Sequence, residues 1–160
     1  NRTVIETYAQ YLRRGARFLG VLDLYILDHA SRLFAYWPGY RGLREGETAG
    51  LGRLIHREYL DRVNWRLWRD KIENGLDHDM IKTLAPVMGS ADAVQRHHIF
   101  RSLASGFAPV DVKTHENLWS FRHLLHMTRL VPADLDAVLG RHYPAEWIDR
   151  LFALDPRGGG

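Results

Sequence analysis

The nine histidines of this chain are the residues best suited to acid–base or metal chemistry. His97 and His98 are adjacent, so they point to different faces of a regular element. His123 and His126 are three residues apart, which places them on one face of a helix. A zinc site needs three or four converging ligands, and no third ligand follows at a suitable spacing. We therefore predict surface or hydrogen-bonded histidines, with no metal and no cofactor.

Two further segments resemble chemical sites in composition. Asp77-His78-Asp79 has the residue types of a metal-ligand triplet, but it precedes a helical pattern, where acidic residues cap a helix and complement its dipole. The glycine-rich segment 46–52 lacks the lysine and the preceding strand of a phosphate-binding loop. Cysteine and a Gly-x-Ser-x-Gly elbow are both absent. We therefore predict capping at 77–79, and a protein that is not an enzyme.

The segment 65–69, Trp-Arg-Leu-Trp-Arg, mixes aromatic and cationic side chains. Such a segment is typical of a buried aromatic stripe with solvated arginines, then of a protein interface, and then of a surface that stacks bases. Trp and Arg are enriched at the energetic centres of protein interfaces. Our candidate partner-binding residues are therefore large aromatic side chains rimmed by arginine: Trp37, Tyr40, Trp65 and Trp119.

Length and composition favour one globular domain. The chain has 160 residues, of which 46% are hydrophobic, enough for a substantial core. We expect a single domain over 1–154 and a flexible tail over 155–160. The net charge of +3 permits an acidic partner without requiring nucleic acid, which we consider unlikely. No apolar run is long enough for a membrane span. Because the chain begins at Asn1 rather than Met, we expect a missing N-terminal segment.

Apolar residues recur at helical spacing along most of the chain, and no segment shows convincing period-two alternation. Helical patterns run from Thr3 toward Leu19, over 22–37, from Thr48 or Gly52 toward Tyr59, and over 61–73 with Trp68 on the buried face. A further helix is expected around Met80 up to a break at Pro86. In the C-terminal segment, Leu135 and Val138 mark one helix, and Trp147, Ile148 and Leu151 mark another. We therefore predict an all-α fold. Helix starts are expected near Thr48, Asp79 and Thr114, about 31 and 35 residues apart, which is the period of stacked antiparallel helix pairs. The alternative is an irregular helical bundle whose spacing is coincidental.

The segment that begins at Pro109 resembles the opening of a pentatricopeptide repeat, a helical hairpin of about 35 residues. The resemblance rests on a Pro-Asp turn, a Thr cap and an inward Leu, namely Pro109, Asp111, Thr114 and Leu118. One extra residue separates the proline from the threonine. The position that reads bases in RNA-binding members falls near Glu116, where a carboxylate repels phosphate. The resemblance implies a short pentatricopeptide-type array of helix pairs.

With its mass of 18.5 kDa, the chain is similar to the pentatricopeptide-like accessory subunits of the mitochondrial F1-ATPase in euglenozoan protists. That resemblance implies a non-catalytic subunit of a hetero-oligomeric complex, docked outside the F1 head on its α subunits. It also implies a location in the mitochondrial matrix, on the matrix side of the inner membrane. The alternatives are an RNA-binding helical-repeat protein, a helical accessory subunit of another mitochondrial complex, and a small helical enzyme or metal protein that uses histidines.

Overall fold

The fold is mixed α/β, as shown by a computed structural model that describes residues 2–69, 75–89, 97–114, 121, 124 and 129–153. These residues contain five helices and seven strands, and the strands form two mixed sheets. The prediction of an all-α array of pentatricopeptide-type helix pairs is therefore wrong. In chain order, the elements are α1 (Arg2–Arg13), β1 (Phe18–Val21), β2 (Leu24–Asp28), β3 (Phe34–Trp37), β4 (Leu54–Ile55), α2 (Arg57–Arg62), α3 (Leu76–Met88), β5 (His97–Phe100), β6 (Val110–Lys113), β7 (Val131–Pro132), α4 (Leu135–His142) and α5 (Ala145–Ala153).

The chain divides into two compact units, each built from separate segments. The three-stranded unit comprises Arg2–Leu22 and Gly39–Arg101. Its sheet has the order β4-β1-β5, with β1 antiparallel to β4 and parallel to β5. Phe18 of β1 packs against α2 and α3 in a core completed by Tyr59, Met80 and Leu84. This packing fixes α3 against the sheet.

The four-stranded unit comprises Asp23–Pro38 and Ser102–Gly160, together with Asn1. Its sheet has the order β6-β2-β3-β7, and only the pairing of β2 with β6 is parallel. The core of this unit contains the stacked rings of Tyr25 and Phe34, whose centroids are 5.0 Å apart. Apolar residues of α4 and α5, such as Val138 and Phe152, pack against this core. The predicted tail 155–160 lies outside the described residues.

A buried carboxylate joins two segments of the four-stranded unit. Asp23 is fully buried and accepts hydrogen bonds from Tyr36 Oη at 2.7 Å and from the backbone N–H of Ser102 at 2.5 Å. The Ser102 hydroxyl in turn donates to the backbone carbonyl of Asp23 at 3.1 Å. Each of the two carboxyl oxygens therefore has a hydrogen-bond partner, as buried polar groups require. The start of β2 is thereby tied to the point where the chain re-enters this unit.

The strands were not predicted from the sequence because the central strand of each sheet is buried on both faces. Every residue of β1 is buried, and so is every residue of β2 except Asp28. Such a strand reads as a continuous apolar run, which periodicity alone does not distinguish from a buried helix. β6 lies where a repeat opening was predicted, and Val110 pairs with Tyr25 in the parallel register. The predicted inward residue Leu118 lies outside the described residues.

The helix predictions have mixed outcomes. Helices predicted near the N-terminus, around Met80 and in the C-terminal segment are confirmed as α1, α3, α4 and α5. However, α1 ends at Arg13, before Leu19, and α3 continues through Pro86, where a break was predicted. The predicted helical stripe over 22–37 is wrong, because β2 and β3 occupy it. The predicted helix from Thr48 or Gly52 toward Tyr59 is wrong, because β4 occupies part of that range. The predicted helix 61–73 is also wrong, since α2 ends at Arg62 and the following described residues are not helical. No helix in the described ranges is long and apolar enough to cross a membrane.

Gly20 is closely packed in the three-stranded unit, because a Cβ there would lie 2.8 Å from the Cβ of buried Thr48. We expect Gly20→Ala to lower the free energy of unfolding by about 1–3 kcal/mol through overpacking. Gly140 of α4 has no neighbouring atom within 4 Å of the same position. Gly140→Ala should therefore raise stability by about 0.5–1 kcal/mol. Urea midpoints measure both changes, and an unchanged midpoint in Gly20→Ala would contradict the packing argument.

Candidate functional site

The segment 63–69, here called the tryptophan turn, places two large aromatic side chains on the surface. Trp65 is 60% exposed and Trp68 is 47% exposed. Trp65, a predicted partner-binding residue, is therefore accessible in the three-stranded unit. Trp68 was predicted to lie on the buried face of a helix, and that prediction is wrong because the helix ends before it.

The backbone of the tryptophan turn is strained at Trp65. Asn64 and Trp65 have φ angles of 51° and 59°, in the left-handed region. Asn adopts this region readily, but a bulky residue there costs roughly 1–3 kcal/mol. A hydrogen bond from the Trp65 N–H to the Leu60 carbonyl, at 2.8 Å, closes the turn. The cost is not offset by burial of the indole, since the ring is exposed.

Hydrogen bonds hold both indoles in place. Trp65 Nε1 donates to Asp61 Oδ1 at 2.9 Å, and Trp68 Nε1 donates to the Leu76 carbonyl at 3.1 Å. The polar edge of each ring is thus satisfied within the protein, while much of its apolar surface remains in water. A ring held in this way loses little conformational freedom when a partner covers it.

Asp79 of α3 anchors the end of the tryptophan turn. Its carboxylate, on a residue only 3% exposed, accepts hydrogen bonds from Arg69 N at 2.9 Å and Arg69 Nε at 2.6 Å. The Arg69 backbone N–H is the largest influence on the pKa of Asp79 and lowers it; burial opposes this, and the guanidinium adds to the lowering. The predicted cap at 77–79 is wrong, because Gly75 is the N-cap and no side chain caps the helix.

Most arginines around the tryptophan turn have carboxylate partners. Arg62 Nη2 lies 2.6 Å from Glu58 Oε1, and Arg57 Nε lies 3.6 Å from an oxygen of Asp61. Arg66 is exposed and forms no ion pair with any described residue. The rim is therefore basic, and Arg66 is its one arginine without a carboxylate partner among the residues that the structure describes.

The other predicted partner-binding residues are placed differently. Trp37, at the end of β3, is only 5% exposed, so it contributes to the core. Tyr40 is half-buried beneath the guanidinium of Arg44, 3.6 Å from the ring centroid, and its hydroxyl donates to Asp77 at 3.2 Å. Burial, followed by the Asp77 charge, raises the pKa of Tyr40 and keeps it a donor. Trp119 lies outside the described residues, as do His123 and His126.

Neither a metal site nor a similarity to known proteins indicates a function for this chain. In the part of the chain that the structure describes, no three His, Asp or Glu side chains are grouped to hold a metal ion. No protein-family model, curated protein or solved structure matches this chain. The function of this protein is therefore inferred from its geometry alone.

The Asp79 anchor predicts a pH-dependent contribution to stability. Because its pKa is lower in the folded protein than the unfolded value of about 3.9, the contribution is present above that pH and is lost as pH falls through the folded value. We expect Asp79→Asn to be less stable than the wild type at pH 7, with the difference shrinking below about pH 4. Urea unfolding between pH 3 and 7 measures it, with exposed Asp149→Asn as control. A difference independent of pH would contradict the assignment.

Proposed function

We propose that this protein binds a protein partner through the tryptophan turn, with Trp65 and Trp68 as the anchoring side chains. The observation that carries the proposal is the conformation of Trp65, which is both strained and exposed. Unfavourable backbone conformations are retained mainly where they serve binding or catalysis. A strained turn that exposes an indole to water does not stabilise the folded protein. It does, however, hold the indole in position to enter a pocket of a partner.

The energetics of interfaces support the same proposal. Tryptophan and arginine dominate the energetic centres of protein interfaces, where one large ring fills a pocket and polar groups surround it. Trp65 and Trp68 are three residues apart, and both indole N–H groups are already satisfied. The partner therefore needs apolar pockets rather than hydrogen-bond acceptors for these rings.

The charges of the rim indicate the kind of partner. Four exposed arginines lie in the tryptophan turn or on α2 just before it: Arg57, Arg62, Arg66 and Arg69. The partner is therefore expected to carry acidic side chains beside its pockets. A nucleic-acid strand is the weaker candidate, because it brings a row of phosphates, whereas three of these four arginines already have a carboxylate partner within the protein. A protein surface needs only apolar pockets and a few acidic side chains.

The more specific prediction, docking on F1-ATPase α subunits in the mitochondrial matrix, depended on the helical-repeat resemblance. The mixed α/β fold removes that support, and so the proposed partner is defined by its chemistry alone. The same holds for the RNA-binding helical-repeat alternative, whose opening segment forms β6.

The substitution Trp65→Asn tests partner binding without lowering the stability of the fold. Asn tolerates the left-handed conformation, so the substitution relieves strain while it removes the anchor. We expect its urea midpoint to equal or exceed that of the wild type, and its partner affinity to fall about 30-fold or more, the size of a hot-spot loss. Affinity capture from the source extract, followed by titration of the captured protein, measures this.

Trp147→Asn is the matched control, because Trp147 is 63% exposed but lies on α5 of the other unit. Capture by this variant should equal wild-type capture. If Trp65→Asn retained the same protein at the same affinity, the tryptophan turn would not be the docking surface. Loss of the captured material after ribonuclease treatment would replace the protein partner with RNA.

A further inference from the structure

The N-terminal helix α1 presents an apolar stripe to solvent. Ile5 is 71% exposed and Leu12 is 39% exposed, although both are large aliphatic side chains. They are seven residues apart, so they lie two turns apart on the same side of the helix, about 10 Å along its axis. Half-buried Ala9 lies between them on that side, because it is four residues from Ile5 and three from Leu12. These three residues are here called the α1 stripe.

One edge of the α1 stripe adjoins the contact between α1 and its own sheet. Tyr8 and Tyr11 pack against Phe100 of β5, with ring centroids 6.0 and 5.6 Å from the Phe100 centroid. The Tyr8 hydroxyl donates to the backbone carbonyl of Gly52. The tyrosines thus hold α1 in place, so the stripe needs no rearrangement to meet a partner.

Charged side chains of opposite sign lie along the other edge of the α1 stripe. Glu6 and Arg13 are both exposed, and each directly follows one of the two aliphatic residues. They are also seven residues apart, so they lie on one side of the helix, two turns from each other. Arg13 forms no ion pair with any side chain in the described part of the chain. This edge is therefore acidic toward the start of α1 and basic toward its end.

The pattern is self-complementary when two copies of α1 run antiparallel. A two-fold axis beside Ala9 exchanges the two ends of the helix, so each residue faces one equally far beyond Ala9 in the second copy. Under this symmetry, Ile5 of one copy falls within about 1.5 Å, along the helix axis, of Leu12 of the other. Glu6 and Arg13 of opposite copies are matched equally closely. The short side chain of Ala9 allows the two helices to approach closely at the axis.

We propose that two copies of this chain associate through the α1 stripe as an antiparallel helix pair. Ile5 and Leu12 of each copy cover one another, and two symmetry-related ion pairs between Glu6 and Arg13 fix the direction and register. In a parallel pair, the charged edge of one helix would face the edge of the other that adjoins its own sheet, and the ion pairs would be lost. The charges therefore select the antiparallel pair.

A second copy fits the α1 stripe better than a lipid surface does. An anionic bilayer would attract Arg13 but repel Glu6 at the same edge, whereas a second copy pairs both charges. Each copy contributes one helix of twelve residues, which makes a small interface. The dimer is therefore weak and its population depends on protein concentration.

The test is self-association of the full chain, measured by sedimentation velocity over a series of protein concentrations. We expect a monomer–dimer equilibrium for the wild type. The dissociation constant should be about tenfold higher or more in Glu6→Arg and in Arg13→Glu, because each substitution places like charges opposite one another at two positions. The variant that combines both substitutions restores opposite charges, so its dissociation constant should return close to the wild-type value.

Ile5→Gln tests the apolar contact and should also weaken the dimer. Its matched control is Leu43→Gln, because Leu43 is 105% exposed in the same unit but lies outside α1. Leu43→Gln should dimerise as the wild type does. Trp65→Asn should also leave the dimer unchanged, which separates this interface from the tryptophan turn.

Cysteine trapping locates the two-fold axis, because the chain contains no cysteine of its own. Oxidation of Ala9→Cys should give a disulfide-linked dimer, since residues beside a two-fold axis between closely packed helices come within disulfide distance. Gln10→Cys is the matched control. Gln10 is exposed on the same helix but is turned away from the stripe, so this variant should remain monomeric on oxidation.

Circular dichroism and urea midpoints verify that each variant folds. A wild-type chain that stays monomeric at every concentration would overturn the proposal, and its binding to phosphatidylserine vesicles would then assign the α1 stripe to a lipid surface. Equal trapping of Ala9→Cys and Gln10→Cys would overturn it as well. So would a dimer that Trp65→Asn abolishes and Ile5→Gln preserves, or a double charge variant that associates no better than the single ones.

Discussion

The guanidinium of Arg53 is the interaction on which the three-stranded unit depends. Its side chain is only 3% exposed, and it donates to the Thr48 hydroxyl at 2.8 Å, to the Thr48 carbonyl and to the Asp77 carbonyl at 3.2 Å. Burial lowers the pKa of Arg53, while the Asp77 charge opposes that change. A buried cation is stable only while its partners remain in place. The loop that carries Glu47 and the helix that carries His78 and Asp79 therefore form one rigid piece.

The three-stranded unit departs in two ways from the usual distribution of residues. It exposes Trp65 and Trp68, which most proteins largely bury, and it buries Arg53 and Asp79, which most proteins leave in water. Each departure has a cost in stability. The four residues lie between α2 and α3, in the first turn of α3, or immediately before β4. The four-stranded unit also buries an acidic residue, Asp23. Its hydrogen-bond donors are the Tyr36 hydroxyl and the Ser102 backbone N–H of the same unit. The four-stranded unit likewise exposes Trp147, but that side chain lies on the helix α5, whereas Trp65 lies on a strained left-handed turn.

The sequence predicted the elements whose signals are local. The stripe of Trp147, Ile148 and Leu151 has helical spacing, and it indeed forms α5. Buried strands such as β2 carry no alternation, so their pairing depends on residues far along the chain. The composition of segment 65–69 indicated an interface as its second interpretation. Its exposure, however, depends on the left-handed turn and on Asp79, ten residues beyond Arg69, and no local pattern encodes that contact. The same holds for His78, whose partner Glu47 lies 31 residues earlier.

The parallel pairings determine the order in which this chain can fold on the ribosome. Phe18 pairs with His97, and Tyr25 pairs with Val110, so neither pair can form until the later residue has been synthesised. At ordinary rates of synthesis this delay is on the order of seconds. Meanwhile β1 and β2, which are apolar except for Asp28, have unpaired edges, and such strands are prone to aggregate. The hairpin of β2 with β3 needs only nearby residues, so it can cover one edge early. Nascent chains should thus pass through a stage with antiparallel pairs alone, and this stage is the one most in need of chaperones.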